Sequence, residues 1–310
     1  MAKHVIVGAG QVGGHVAELL ANAGHEVVVV TRSGSGPRRA GVTLVAADAG
    51  DAATMRRITE GAEVLYNCAN PQYHRWARDW PPIAASLVSA AEAAGAVLAV
   101  LGNLYGYGPV DGPMTEDLPL ASTGVKGRVR ARMWEDLLAA HRSGRVRVTE
   151  VRGSDYFGPH ASDQSYFGER LLGPLLSSGK PAMVPWNPDV PHSWTYLPDV
   201  ARALVAAAAR ESAWGRAWHV PTGPAMTMRE VAERLCLLAG APAPRFRRLP
   251  GWMLTAAGLA VPFLKELKEI RYQFDRPFIL DSSASEAALD LAPTPMDDAL
   301  KETLAWWRGR

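Results

Sequence analysis

Cysteine is almost missing: Cys68 and Cys236 are the only two in 310 residues. Two thiols cannot build a disulfide framework or a cysteine zinc site, and each is expected to be a small packing residue in a reducing compartment. An excess of one charge is missing too. The 33 Lys and Arg set against 31 Asp and Glu leave a formal charge of +2, which makes no case for nucleic acid as the main partner. No hydrophobic run is long enough to span a membrane, since the most apolar late stretch, GWMLTAAGLAVPFL, is interrupted by Gly258 and Pro262. The opening residues MAKHVIVGAG run straight into an apolar strand, with no signal-peptide segment. The expectation is a soluble, cytoplasmic protein with no membrane partner. No His, Cys, Asp or Glu cluster has metal-ligand spacing, so no metal is expected.

What is present is alternation. HVIVGAG, HEVVVVTRSG, GVTLVAAD, EVLYNCAN, VLAVLGNLYG and VRVTEVRGSDYFG read as strands, with helical patterns between them such as QVGGHVAELLANAG and VRARMWEDLLAAHRSG. Strand and helix exchanging places predicts an α/β fold with a doubly wound parallel (Rossmann) sheet, and nearly continuous apolar runs suit strands covered on both faces. Beyond residue 155 the pattern loosens into proline- and tryptophan-rich loops and separate helices. The division expected is a dinucleotide-binding core over 1–155 and a smaller substrate lobe over 156–310, with some segments returning to the core.

The first strand leads into Gly8-x-Gly10-x-x-Gly13 and then a helix. Glycines there permit a tight turn, close backbone approach to a pyrophosphate and helix-on-strand packing, and the helix N-terminus faces the phosphates. Gln11 and Val12 lie in the same loop, and Cys68 and Ala69, at the end of the fourth strand, are expected beside the coenzyme. The second strand ends in Thr31, Arg32 and Ser33, with no acid to bond the ribose diol of NAD. Arg32, helped by Arg38 or Arg39, suits a 2′-phosphate, which favours NADP(H) over NAD(H). Asp48 is a candidate for the adenine amino group or, with Asp51, for a helix start. Tyr73, His74 and Trp76 are read as loop residues suited to a substrate, with His74 the first histidine suspected of acid–base work and His160 and His192 next.

The stretch LPLASTGVKGRVRARMWEDLLAAH poses a puzzle. Lys126, Arg128, Arg130 and Arg132 crowd the first turns of a helix, where the dipole favours acids. With the glycine loop, the segments TEDLPLASTG, VRGSDYFGP and TYLPDVARAL and the closing RPFILDSSASEAALDLAPTPMDDALKETLAWW, the whole chain resembles the extended short-chain dehydrogenase/reductase superfamily, its NAD-dependent epimerase/dehydratase group. The resemblance implies a Ser or Thr on the fifth strand, a Tyr-x-x-x-Lys pair on the following helix, nicotinamide contacts near Ser154, Asp155 and Tyr156, and a homodimer built from helices around 83–95 and 129–141. This chain departs from it. Lys126 stands at the tyrosine position, Arg130 at the lysine position and Asn103 at the hydroxyl position.

Arg130 is then expected to hold the ribose or phosphates, with Lys126, Tyr105 or Tyr107 as proton donor and Asn103 orienting a carbonyl. Tyr107, Tyr156 and His192 join the substrate-binding candidates. The function expected is an NADP-dependent oxidoreductase acting on a small organic carbonyl, imine or alkene. The alternatives are a nucleotide-sugar epimerase/dehydratase, against which the lost tyrosine argues, and a non-catalytic NADP-binding sensor.

Overall fold

The computed structural model describes residues 1–161, 165–177, 181–249 and 269–309. The apolar stretch 251–264 lies outside the described residues. In chain order the elements are β1 (Lys3–Val7), α1 (Gly13–Asn22), β2 (Glu26–Thr31), β3 (Val42–Ala46), α2 (Ala52–Thr59), β4 (Ala62–Asn67), α3 (Trp76–Ala94), β5 (Val97–Asn103), α4 (Val125–Arg142) and β6 (Arg147–Gly153). There follow β7 (Asp155–Phe157), α5 (Glu169–Ser177), β8 (Ala182–Val184), β9 (Pro191–His192), β10 (Trp194–Tyr196), α6 (Leu197–Ala209), β11 (Ala217–His219) and α7 (Met228–Ala239). Helices Ser283–Leu289 and Met296–Arg308 come last.

Seven strands form one parallel sheet in the order β11-β6-β5-β4-β1-β2-β3. Its central strands are valine-rich and buried, as in β2, where Val27 to Val30 are all covered. Covering comes from both sides. Val16, Ala17 and Leu20 of α1 pack with Val200, Leu204 and Ala207 of α6 over one face, and Met55, Leu87, Trp134 and Leu137 of α2, α3 and α4 cover the other. A separate cluster holds the later segments together around Phe157, Trp186, Trp194, Leu235, Phe274 and Leu300. The doubly wound sheet is as expected. β11 and α6 both come from beyond residue 155 and pack into the core.

The strand order reverses between β1 and β4. In such sheets the crevice at the reversal, at the carboxyl ends of the strands, is where ligands sit.

Two local readings need correction. The segment around Tyr73, His74 and Trp76 is not a loop: Tyr73–Arg75 forms one helical turn, and α3 begins at Trp76 and runs through Pro81 and Pro82. Each interior proline costs about 3 kcal/mol. Trp76 and Trp80 are 1% and 0% exposed, and burying about 150–250 Å² of each at roughly 25 cal/mol/Å² contributes about 4–6 kcal/mol apiece, which outweighs the prolines. The fifth strand also stops sooner than its apolar run suggests. It ends at Asn103, whose side chain accepts from Tyr105 N at 3.2 Å and starts a short helical turn, Leu104–Gly106. Tyr105 and Tyr107 therefore leave the strand and point to different places.

Candidate functional site

At the reversal point the glycine loop closes over the end of β4. Gly8 has φ of +97°, and a Cβ there would lie 2.7 Å from the Cys68 carbonyl oxygen, so any side chain is excluded twice over. A Cβ on Gly13 would run into the Gly8 carbonyl, which makes Gly13 the packing glycine of the loop. Gly10 is different: nothing lies within 4 Å of its would-be Cβ, and it faces open cleft. Val12 at the head of α1 supplies no side-chain cap, and the first turn has no acid, so the helix N-terminus keeps its positive end for an anion. This cradle fits the pyrophosphate of a dinucleotide. Gln11, Val12, Cys68 and Ala69 line it. Burial raises the Cys68 thiol to about 12, so it is no nucleophile at neutral pH.

The end of β2 is arranged for an exposed cation. Thr31 Oγ1 donates to the Ser35 carbonyl at 2.8 Å, and the Ser33 and Ser35 hydroxyls bond at 2.8 Å. These hydroxyls shape the turn, and Ser33, unlike Thr31, does not line the cleft. Arg32 and Arg38 are exposed at the cleft wall, whereas Arg39 is tied to Glu18 at 3.0 Å. Asp48 lines the cleft and holds its own turn by accepting from Gly50 N at 2.9 Å, while Asp51 caps α2.

Further along the same cleft the walls become aromatic. The hydroxyls of Tyr73 and Tyr105 meet at 2.8 Å, and Trp76 lies against both rings, with centroids 4.8 and 6.0 Å away. Burial raises the pKa of both phenols, and the Asp155 carboxylate raises them further. They are therefore firmly protonated donors. Arg130 lies with its guanidinium 4.7 and 4.5 Å from the Trp76 and Trp80 rings and donates to the Leu101 carbonyl at 3.1 Å. Burial lowers its pKa and Glu150 counteracts this, but a guanidinium stays charged. Arg130 is thus a fixed positive charge on the cleft wall, beside Asn103 and Tyr156, with its Nε lacking a hydrogen-bond partner among the described residues. Tyr156 donates to the Gly102 carbonyl at 3.3 Å.

Four expected residues lie elsewhere. Lys126 is 1% exposed and sits behind the cleft, with Nζ 5.7 Å from the Tyr73 ring centroid and 3.1 Å from Glu269. A carboxylate that holds the ammonium this way removes it from direct contact with a ligand. Tyr107 is buried behind β5, where its hydroxyl bonds His219 at 2.9 Å and Arg152 at 2.8 Å, and Arg152 pairs with Glu150. It cannot reach a substrate. His74 is exposed and outside the cleft lining, because the turn Tyr73–Arg75 directs its neighbours inward and His74 outward. His192 is 2% exposed and lies one layer back, 2.7 Å from Asp155. His160 lines the cleft near the glycine loop, edge-on to His15.

Asp155, Ser154, Gln273 and Phe278 also line the substrate half. The sequence flagged the first two only as neighbours of Tyr156; Gln273 and Phe278 gave no signal because they arrive from far along the chain. The glycine loop, the reversal-point cleft and a matching family model over residues 4–220 decide the assignment. The chain belongs to the NAD dependent epimerase/dehydratase family. No curated protein matches this member in sequence. Its fold is shared with UDP-glucose 4-epimerase of Thermotoga maritima, solved with UDP-glucose (TM-score 0.81, 18% identity, 99% of each chain covered). It is shared with UDP-glucuronic acid 4-epimerase of Bacillus cereus, solved with NAD (0.80, 16%, 99% of each). A third neighbour is dTDP-glucose 4,6-dehydratase of Bacillus anthracis with NAD (0.80, 16%, 100% of this chain and 97% of that one). Helix α4 contains no Tyr-x-x-x-Lys sequence, and Lys126 and Arg130 are among its buried residues.

Proposed function

We propose that this protein is a nicotinamide-dinucleotide enzyme of the epimerase/dehydratase kind, working at an oxygen-bearing carbon of a sugar-like, nucleotide-linked substrate. The observation that carries the reading is one continuous cleft of about 1710 Å³ running from the glycine loop to the Tyr73–Tyr105 hydroxyl pair. A site for one drug-sized ligand occupies roughly 300–1,000 Å³, so this volume suits a dinucleotide with a second molecule beside it. The family membership and the three neighbours favour this reading over a simple reductase. When bound, the dinucleotide would supply and recover hydride. The glycine loop holds its pyrophosphate, Arg130 offers a charged donor toward its ribose, and the phenols and Asn103 hydrogen-bond the substrate oxygen.

Arg32 and Arg38 favour NADP(H), although two of the three neighbours carry NAD. A second reading, an NADP-dependent oxidoreductase acting on a small carbonyl, imine or alkene, draws on that arginine pair and on the missing tyrosine. A homodimer through the outer faces of α3 and α4 is the assembly to test, by mass in solution at micromolar concentration.

Titrating the purified protein with NAD(H) and NADP(H), then assaying a panel of nucleotide sugars and simple carbonyls, tests the proposal. Conversion of a nucleotide sugar without net coenzyme consumption is expected. Stoichiometric coenzyme oxidation by a simple carbonyl would favour the second reading, and failure to bind any dinucleotide would sink both.

A further inference from the structure

The cleft has an acid–base unit that no sequence motif announces. Asp155, at the start of β7, lines the substrate half, and behind it His192 of β9 is wedged between Phe274, Phe278 and Trp194, with ring centroids 4.8, 5.2 and 4.6 Å away. The histidine has an acceptor at each nitrogen. Nδ1 lies 3.2 Å from the Gln273 carbonyl oxygen, which can only accept, so Nδ1 carries a hydrogen. Nε2 lies 2.7 Å from Asp155 Oδ2, with Ser154 Oγ at the longer distance of 3.5 Å.

A contact of 2.7 Å between a ring nitrogen and a carboxyl oxygen requires a proton between them. Either the ring is imidazolium beside a carboxylate, or it is neutral beside a carboxylic acid. In both cases the pair holds one proton more than a neutral imidazole and an ionised carboxylate would. The ring is locked by its three aromatic neighbours, and its partner faces the cleft with a side-chain exposure of 19%.

We propose that Asp155 is the proton donor and acceptor of this cleft, with His192 the positioning residue that stores the proton behind it. This rests on the function proposed above. In the reducing direction, a bound NAD(P)H would supply hydride to the substrate carbonyl carbon, and the C=O π electrons would move onto oxygen. The shared proton passes from Asp155 to that oxygen, leaving a carboxylate beside a neutral imidazole, which regains its proton from water. In the oxidising direction the pair first gives up its stored proton to water, and the carboxylate left beside a neutral imidazole then removes the hydroxyl proton, which restores the resting pair. The Tyr73 and Tyr105 phenols, held in the protonated form, orient the oxygen and do not serve as the base. The titratable groups that feel the Asp155 charge are Tyr73, Tyr105, Tyr156, Tyr166 and Tyr272. Among the described residues no Lys or Arg side chain bonds to the pair.

The test combines a spectrum with kinetics. Proton-detected ¹⁵N spectra of histidine-labelled protein, with ¹³C spectra of the aspartate carboxyls, read where the proton sits at pH 7. Imidazolium with carboxylate, or imidazole with carboxylic acid, is expected; neutral imidazole beside an ionised carboxylate overturns the proposal. Asp155→Asn should bind NADPH like the wild type and lower kcat by about 100-fold or more, within the usual range for general acid–base catalysis. His192→Gln should fold, retain some turnover and shift the pH profile of kcat, a change that a purely structural tie between β7 and β9 would not produce. Should Asp155→Asn fail to fold, the His192→Gln profile decides. Full turnover in Asp155→Asn with normal NADPH binding overturns this inference and leaves the proposed function standing, whereas a wild type that binds no dinucleotide overturns the function itself.

Discussion

Glu269 caps α4 by holding Lys126 twice, accepting from its backbone N at 2.6 Å and from its Nζ at 3.1 Å. A helix whose own first turns carry only cations thus receives its anion from 143 residues further along the chain. The crowding of positive charge in VKGRVRAR has three separate local solutions: Lys126 pairs with Glu269, Arg130 stacks on two tryptophans, and Arg132 pairs with Asp136 at 3.0 Å on the outer face.

Removing that anion should be felt in stability. Glu269→Gln removes a carboxylate from beside a buried ammonium and takes the charged cap from the helix, and Glu269 is itself 24% exposed, so a loss of about 2–3 kcal/mol is expected, below the full figure for a buried pair. Urea unfolding measures it. The double variant Lys126→Met, Glu269→Gln should recover much of the loss; equal destabilisation in the double and single variants would contradict the account.

The two glycines of the loop should separate binding from folding. Gly10→Ala meets nothing in the free protein, so its Tm should match the wild type while dinucleotide affinity falls at least about tenfold. Gly13→Ala drives a methyl into the Gly8 carbonyl and should lower Tm. Thermal scans with and without coenzyme distinguish them.

For coenzyme choice, Arg32→Ala should weaken NADPH binding by about 1.5–3 kcal/mol, the worth of a charged hydrogen bond, and leave NADH unchanged. Calorimetric titration reads this directly. Equal affinities for both coenzymes in the wild type would remove the preference.

His4 gives a pH dependence. Its ring is 5% exposed in β1, has no hydrogen-bond partner among the described residues, and is lowered to about 4 by burial and by nearby His25. Between its ordinary value of 6.5 and about 4 the unfolded chain binds a proton that the folded chain refuses, so stability is full above pH 6.5 and falls as pH drops. From pH 7.5 to 4.5 the loss attributable to His4 should be about 2–3 kcal/mol. His4→Leu should flatten that slope in denaturant titrations at the two pH values.

The fold and the glycine loop were legible because their signals are local: valine runs and three glycines lie within a few residues of their partners. The substrate half was not, for two physical reasons. Pro81 and Pro82 disguised the start of α3, whose helix is upheld by tertiary burial of Trp76 and Trp80. And Asp155 with His192, or Lys126 with Glu269, are pairs made by the fold across 37 and 143 residues, which no periodicity encodes. Lys126 is conspicuous in the sequence for its register, but what it does is decided by Glu269, a partner that register does not reveal.

The seventh strand has a consequence for how the molecule is made. β6 is finished at Gly153, yet its outer neighbour β11 is not available until His219. A ribosome-bound chain therefore carries a bare, valine-containing sheet edge through the synthesis of more than sixty further residues, a period in which it can recruit other strands. Fragments ending near residue 160 should aggregate where the whole chain does not, and a chaperone that shields strand edges should act on this protein before its last third has been translated.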